Sequence, residues 1–520
     1  MEKTVDAELS RRSLIKNALI AGGGMAALGP GALGADDGRT APPEMRDVPP
    51  EGIEPILTFH GEIFPDNPNR MFREGRFPAA PPPDREVEVV IVGGGAGGLT
   101  AAYRLRDRNL LLLEALPRLG GNSMYFEWEG MPFSLGGQYI GTPGTWADSV
   151  WDLCGELNLE PETDTSPLAV VFPGSILIED PYGLWGLLRM PIPWRVKRDI
   201  IRFYLWDMPR IDVEARKDEL DHLPFSEFMK EYSPEFRDWY DKLAKPYPRT
   251  ADASAYYAIS SAQGQDYAGD AGIASLPGGL GLINHTLAQK IEEAGPDRML
   301  TNAFAYRVRH DSEGRVLATY WHGGRVATVR AKAAIINAES NIATRILDDI
   351  PPELKDAMGR MRRFSYPTFH FCSREPIYQR GYRLGVMNST IQAVTVPDWF
   401  SRDRGLDRPN ILSCFNKMSL EDIDVVGNRE AMVKMSGRVL GELDLRFPGT
   451  IEKVEAVHVF LRNRNYCVPY PGYITEVFPK LGKPYGHVFF ANAEYLNSVT
   501  HFPEAVEAGT RAAQQVRRLL

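Results

Sequence analysis

Three glycines, Gly93, Gly95 and Gly98, stand in G-x-G-x-x-G spacing directly after the apolar run Val89-Val90-Ile91-Val92. That pattern serves diphosphate binding: the first glycine permits a tight strand-to-helix turn, the second lets backbone approach a pyrophosphate, and the third lets helix and strand pack closely. The helix N-terminus then offers unpaired N–H groups and a partial positive charge to the phosphates. About 20 residues beyond Gly93 a second apolar run, Leu110 to Leu113, ends in Glu114, where a carboxylate accepts hydrogen bonds from an adenosine ribose. A carboxylate there repels a 2′-phosphate, which favours FAD or NAD over NADP.

The elements that must hold these residues are a strand, a helix over Leu99–Arg108 with Asn109 as its left-handed C-cap, and a second buried strand. Glu114 leads into Ala115-Leu116-Pro117-Arg118-Leu119-Gly120-Gly121-Asn122, and Leu135-Gly136-Gly137-Gln138 follows. Glycine pairs let backbone N–H groups converge on an anion or a flat ring without Cβ interference. Strand, acid, Ala-x-x-Arg-x-Gly-Gly and a second Gly-Gly together resemble the flavin-containing amine oxidase superfamily. The resemblance implies an α/β fold, with a Rossmann-like FAD-binding domain and a mixed α+β substrate domain. It implies FAD as cofactor, with Arg118, Gly120, Gly121, Gly136, Gly137 and Gln138 against the pyrophosphate and flavin.

Two later segments resemble the same family. Ser275-Leu276-Pro277-Gly278-Gly279-Leu280 opens a helix over Leu282–Glu293. Strands are then expected near Met299–His310, Arg315–Trp321, Arg325–Arg330 and Ala333–Ala338, the first two joined by a turn at Asp311–Gly314. In the family the equivalent segment lays a strand beside the adenine, which implies a backbone contact from Ala305. At the C-terminus a strand runs from His487 to the acid Glu494, and a helix with proline in its first turn runs from Pro503 to Ala513. The resemblance implies that Glu494 reaches the ribityl–pyrophosphate portion and that Phe502 and Ala505 lie at the flavin. It also implies His501, or Phe502 at a shifted register, as the aromatic that sandwiches an amine, with Tyr466 as the other wall. Thr368 stands where the family often carries a lysine.

The remaining chain is read as substrate domain and appendages. Cofactor segments cover 85–141, 276–347 and 466–520, and substrate-domain segments cover 142–275 and 348–465. The first of these is helical and aromatic-rich, with Trp146, Trp151, Trp185, Trp194, Trp206 and Trp239 mostly in the core and an amphipathic helix over Phe225–Leu243. The second has a strand over Thr368–Ser373 and a helix over Glu421–Glu442. A proline-rich stretch, 36–84, is expected to wrap the surface as an extended arm. Residues 1–35 hold Ser10-Arg11-Arg12-Ser13-Leu14-Ile15-Lys16 and an uncharged run from Asn17 to Gly34, which resembles a twin-arginine export signal.

At 520 residues, with 43% hydrophobic and 24% charged residues, the chain is long enough for two or more cored domains. A net charge of −9 without a Lys/Arg stripe argues against a nucleic-acid partner. Four scattered cysteines and nine histidines show no zinc-ligand spacing, and no metal site is expected. With one dinucleotide fingerprint, electrons leaving the flavin are expected to go to oxygen or a periplasmic carrier. The leading expectation is an exported, periplasmic or secreted FAD-dependent enzyme that takes a hydride from the carbon next to nitrogen of a small amine, its export partner being the twin-arginine machinery. Alternatives are a flavin-dependent desaturase of an apolar substrate, a non-catalytic flavin-binding maturation factor, and an NAD dehydrogenase without flavin.

Overall fold

The computed structural model describes residues 45–61, 77–181, 183–243, 253–263, 272–404, 409–416, 418, 425–462, 465–496 and 500–520. The predicted export signal lies outside the described residues.

Seven strands form the sheet that carries the glycine loop, in the order Met299–Leu300, Leu110–Leu113, Arg85–Val92, Arg325–Ile336, Val316–His322, Phe304–His310. The seventh, Val488–Phe490, pairs with Arg325–Ile336. Val89, Ile91, Leu110, Leu112, Ala333 and Ile335 are almost wholly buried, as a sheet covered on both faces requires. The two strands expected at Arg325–Arg330 and Ala333–Ala338 are one, because nothing in Ala331-Lys332 turns the chain. Its first half pairs antiparallel with Val316–His322, and its second half lies parallel to Arg85–Val92 and Val488–Phe490. Conversely, the single strand expected over Met299–His310 is two, Met299–Leu300 and Phe304–His310, which occupy opposite edges of the sheet.

The helix after the glycine loop spans Ala96–Arg104 and stops before Arg108. Asn109 is absent from the positive-φ residues, so it is not the expected left-handed cap; its side chain instead reaches the Glu86 carbonyl at 3.4 Å. The C-terminal helix, Phe502–Leu519, packs on this first helix so tightly that a Cβ on Gly509 would fall on the Gly97 carbonyl.

An eight-stranded sheet builds the other half, in the order Leu57–Gly61, Ala456–Leu461, Thr368–Ser373, Asn410–Asn416, Ile391–Thr395, Arg383–Val386, Ala169–Phe172, Ile176–Glu179. The described part of the predicted arm is therefore more than a surface wrap, because Leu57–Gly61 is an edge strand parallel to Ala456–Leu461. Ahead of it, a turn of helix at Pro50–Ile53 buries Ile53 completely, and Arg46 and Val48 lie against the helix Arg429–Asp444. Two glycines of that helix, Gly437 and Gly441, admit the carbonyls of Val48 and Arg46 where any Cβ would collide.

The region 142–275 is not purely helical, since Ala169–Phe172 and Ile176–Glu179 join the second sheet. The amphipathic helix expected over Phe225–Leu243 is broken into Phe225–Phe228 and Pro234–Leu243, because Pro234 can begin a helix but not continue one. Phe203, Phe225, Tyr232 and Phe236 make the core of this subdomain. Trp185, Trp194 and Trp206 depart from expectation and stand exposed. Among the described residues no helix is long and apolar enough to cross a membrane.

Three histidines sit together between the two halves. His60 Nε2 lies 3.0 Å from His458 Nδ1, His370 Nδ1 lies 2.8 Å from Ser413 Oγ, and the Phe133 ring lies tilted against those of His370 and His458 at 5.0 and 6.2 Å. Burial pushes His60 and His458 down to about 4 and His370 well below its usual value. The unfolded chain takes up these protons near pH 6.5, so the stability is fully present above that pH and is lost as pH falls toward 4. Roughly 1–2 kcal/mol per histidine should disappear by pH 5. The melting temperature is expected to drop steeply between pH 6.5 and 5, less so in His458→Gln; a flat profile over that interval would contradict it.

Candidate active site

One cavity of about 500 Å³ runs from the glycine loop to the eight-stranded sheet. At the loop end its wall is Gly93, Gly95, Ala96, Gly97 and Glu114, followed by Gly120, Gly121, Gly136, Gly137 and Gln138. Ala305, Tyr466, His501, Phe502 and Ala505 also line it, so three segments far apart in sequence enclose one space.

The loop end has the shape a diphosphate needs. Gly93 takes φ +105°, and Gly95 caps the helix with no side chain contributing to the cap, so the first-turn amides face the cavity uncovered. A Cβ on Gly121 would come within 2.8 Å of Gly95 Cα, so only paired glycines let the two turns meet. Asn337, at the carboxyl end of its strand, fixes the turn by donating from Nδ2 to the Gly93 carbonyl at 3.2 Å. Glu114 accepts from the Gly94 amide through Oε2 at 2.7 Å and from the Leu116 amide through Oε1 at 2.8 Å. Burial raises its pKa, opposed by those two amides. Each oxygen keeps a lone pair for a ribose hydroxyl.

Three predicted cofactor residues do not reach the cavity wall. Gly98 lies behind it, where a Cβ would fall on the Gly93 carbonyl, so it serves helix–strand packing as its place in the motif requires. Arg118 places its guanidinium 5.2 Å over the Phe126 ring, and its charge helps to depress His60. Glu494 lies not at the end of a strand but on the short 3₁₀ turn Ala493–Tyr495, fully buried. It pairs with the Arg363 guanidinium and accepts from the Ser340 amide. Arg363 is itself on the wall, so it stands between Glu494 and the cavity.

Residues outside the prediction complete the site. Arg462 pairs with Glu339 at 3.1 Å, and both line the cavity. Where the cavity meets the second sheet its wall is Tyr366, Thr368, Gln392, Thr395 and Phe415. Tyr366 stacks on Phe415 at 5.8 Å and meets Tyr466 edge-on at 6.2 Å. His501 lies 5.4 Å from Trp146, and burial lowers it to about 4, leaving a neutral ring. Asn337 carried a sequence signal, a polar residue closing a buried parallel strand. Arg363 carried none.

The wall fits an FAD. Three of its buried polar atoms, Gln138 Oε1, Asn341 Oδ1 and Thr500 Oγ1, have no hydrogen-bond partner among the described residues. The glycine cradle packs its turns together where a Cβ would collide, which leaves backbone rather than side chains on the wall.

Comparison with known proteins decides the family. The family description for flavin-containing amine oxidoreductases matches residues 96–517. The chain belongs to that family. This flavin-containing oxidoreductase is 38% identical over 85 residues to a flavin-containing monoamine oxidase of Mycobacterium tuberculosis, a match covering 16% of the chain and 18% of that relative. Among solved structures, putrescine oxidase bound to putrescine aligns with TM-score 0.65 and 18% identity, covering 83% of this chain and 99% of that one. Cyclohexylamine oxidase from Brevibacterium oxydans aligns with TM-score 0.64 and 19% identity over the same shares. The oxidoreductase is thus an FAD-dependent enzyme with the fold of these proteins. All four cysteines are buried and free, and Cys467 is not on the cavity wall.

Proposed function

We propose that the enzyme oxidises a small amine at the carbon next to nitrogen. The observation that carries this reading is the single cavity that begins at a diphosphate cradle and ends among Tyr366, Tyr466 and Phe415. Names of the relatives, monoamine, putrescine and cyclohexylamine oxidase, support the amine.

FAD, when bound, would supply the acceptor for one hydride, that is, two electrons and one proton. Gly93, Gly95, Gly97, Glu114, Gly120, Gly121, Gly136, Gly137, Gln138, Ala305, Phe502 and Ala505 would hold it. Tyr366, Phe415 and Tyr466 offer an apolar, water-excluding wall that orients the substrate carbon. His501 stays neutral above about pH 4, so it neither repels an ammonium nor takes its proton at neutral pH. On this reading the amine arrives as the free base, and kcat/KM should rise with pH along the substrate's own titration. Thr368 and a wall that carries no lysine among the described residues support a carrier rather than oxygen as electron acceptor. The twin-arginine-like sequence supports a periplasmic or secreted location, which cell fractionation would check.

Anaerobic titration of the purified flavoprotein tests the chemistry. Primary or secondary amines should bleach the flavin. Bleaching by an apolar hydrocarbon and by no amine would replace this reading with a desaturase, and reduction by no small molecule would leave a flavin-binding factor.

A further inference from the structure

Five large apolar side chains stand exposed among the described residues, and three of them, Trp185, Trp194 and Trp206, fall within one short stretch of chain. Their exposures are 72%, 50% and 54%. Single exposed apolar residues need no explanation, but two exposed indoles aligned on one helix do.

Helix geometry gathers two of them. The helix Trp194–Ile201 continues into a π-helical turn, Arg202–Asp207, so positions 194, 198, 202 and 206 lie at successive four-residue steps. In a regular α-helix that series would drift by about 40° per step. The wider π turn rotates less per residue and returns position 206 towards the line of 194. Trp194, Arg198, Arg202 and Trp206 thus form an outward ridge roughly 18 Å long. The opposite face, Val196, Ile200 and Phe203, is buried in the helical subdomain. Trp185 belongs to the preceding helix, Leu184–Arg189, which is tied on by Lys197 Nζ donating to the Leu188 carbonyl at 2.7 Å. Arg210 stacks 4.2 Å over the Trp206 ring.

The charge of this stretch opposes that of the whole. Residues 184–210 hold six basic side chains and two carboxylates, a net +4, in a chain of net −9. Asp199, Asp207 and Glu235 pair with Arg198, Arg202 and Arg195, yet these arginines remain 63%, 44% and 72% exposed. We propose that this Trp–Arg ridge seats the protein on an anionic phospholipid surface. Indoles prefer the headgroup layer, where the ring is apolar and its N–H is wet, and the guanidiniums beside them meet lipid phosphates. The acidic remainder of the molecule is repelled and faces away. A second copy on the same face would bring like charges together, which disfavours self-association there. This attachment is peripheral and independent of what the active site oxidises.

Co-sedimentation of the full-length flavoprotein with phosphatidylglycerol–phosphatidylcholine vesicles tests it. Binding is expected at low salt, with release at high salt and little uptake by pure phosphatidylcholine. Trp194→Ser with Trp206→Ser should weaken it about tenfold and abolish the blue shift of indole emission on binding. Each of Arg198→Gln and Arg202→Gln should weaken it about fivefold. Flavin content and melting temperature, unchanged in the tryptophan variant, show that it folds. Failure of the parent protein to bind these vesicles would overturn the proposal, as would equal binding by the variants. A concentration-dependent dimer abolished by the tryptophan variant would also overturn it, assigning the face to a protein contact.

Discussion

Gly95→Val is expected to give a folded protein that purifies without flavin, whereas Gly98→Val is expected not to accumulate as folded protein at all. The two glycines are three residues apart in one motif, but their surroundings differ. A Cβ at Gly95 would have Asn337 Nδ2 at 3.1 Å and Gly121 Cα at 3.6 Å as its nearest neighbours, contacts that small shifts relieve. What a valine cannot avoid there is the cavity itself, which Gly95 lines where a diphosphate must approach the backbone. A loss of roughly 3 kcal/mol of cofactor binding, about 100-fold in affinity, follows from displacing that approach. At Gly98 the obstruction is the Gly93 carbonyl, main chain against main chain, and nothing flexible can yield. Relief there requires the helix Ala96–Arg104 to move off Arg85–Val92, and the C-terminal helix packed on it would move too. The ratio of flavin to protein absorbance, read beside circular dichroism, separates the cases. A yellow Gly95→Val protein with full flavin occupancy would refute the assignment of the cavity's loop end.

This contrast also marks how far the sequence could be read. The glycine loop, the strand ending in Glu114 and the family were legible because each depends on local spacing: a turn, a buried four-residue strand and an acid at a fixed offset. Strand boundaries failed where the deciding partner was remote. Arg325–Ile336 is one strand because Val316–His322 holds its first half and two other strands hold its second, and the residues themselves mark no change. Leu57–Gly61 looked like part of a linker because its partner, Ala456–Leu461, lies some four hundred residues on, a separation of about the same order as the chain. The exposure of Trp185, Trp194 and Trp206 is not legible because hydrophobicity gives no sign of which helix face looks outward when both faces carry aromatics. The resemblance implies Arg118 and Glu494 at the cofactor; Arg118 lies over Phe126 and Glu494 pairs with Arg363, neighbours that no local spacing discloses.

Arg363→Met is expected to destabilise the protein by about 3–5 kcal/mol, because it strands the carboxylate of Glu494 in a fully buried position. Glu494 is held by the Arg363 guanidinium and the Ser340 amide, while Arg363 Nη2 also donates to Ser340 Oγ at 2.9 Å. Removing the cation leaves one amide to stabilise a charge that water cannot reach, so in the variant the carboxyl should take up a proton well above the usual carboxylate range. Its folded-state pKa then exceeds its unfolded one, so this part of the lost stability should be recovered as pH falls through the raised value. The histidine cluster predicts the reverse trend in the parent protein, which makes the two effects separable in one pH series. Glu494→Gln alone should also cost several kcal/mol, by stranding the guanidinium, whereas Arg363→Met with Glu494→Gln should recover much of either single loss. Urea denaturation of the four proteins measures the coupling directly. Single losses below about 1 kcal/mol, or a double variant whose loss is the sum of the two, would show that the pair does not act as a unit. Because Arg363 also lines the cavity, its loss should lower flavin retention in the single variant, and the neutral pair should restore stability without restoring the positive charge at the wall. Flavin content that follows stability rather than charge would make Arg363 a positioning residue alone.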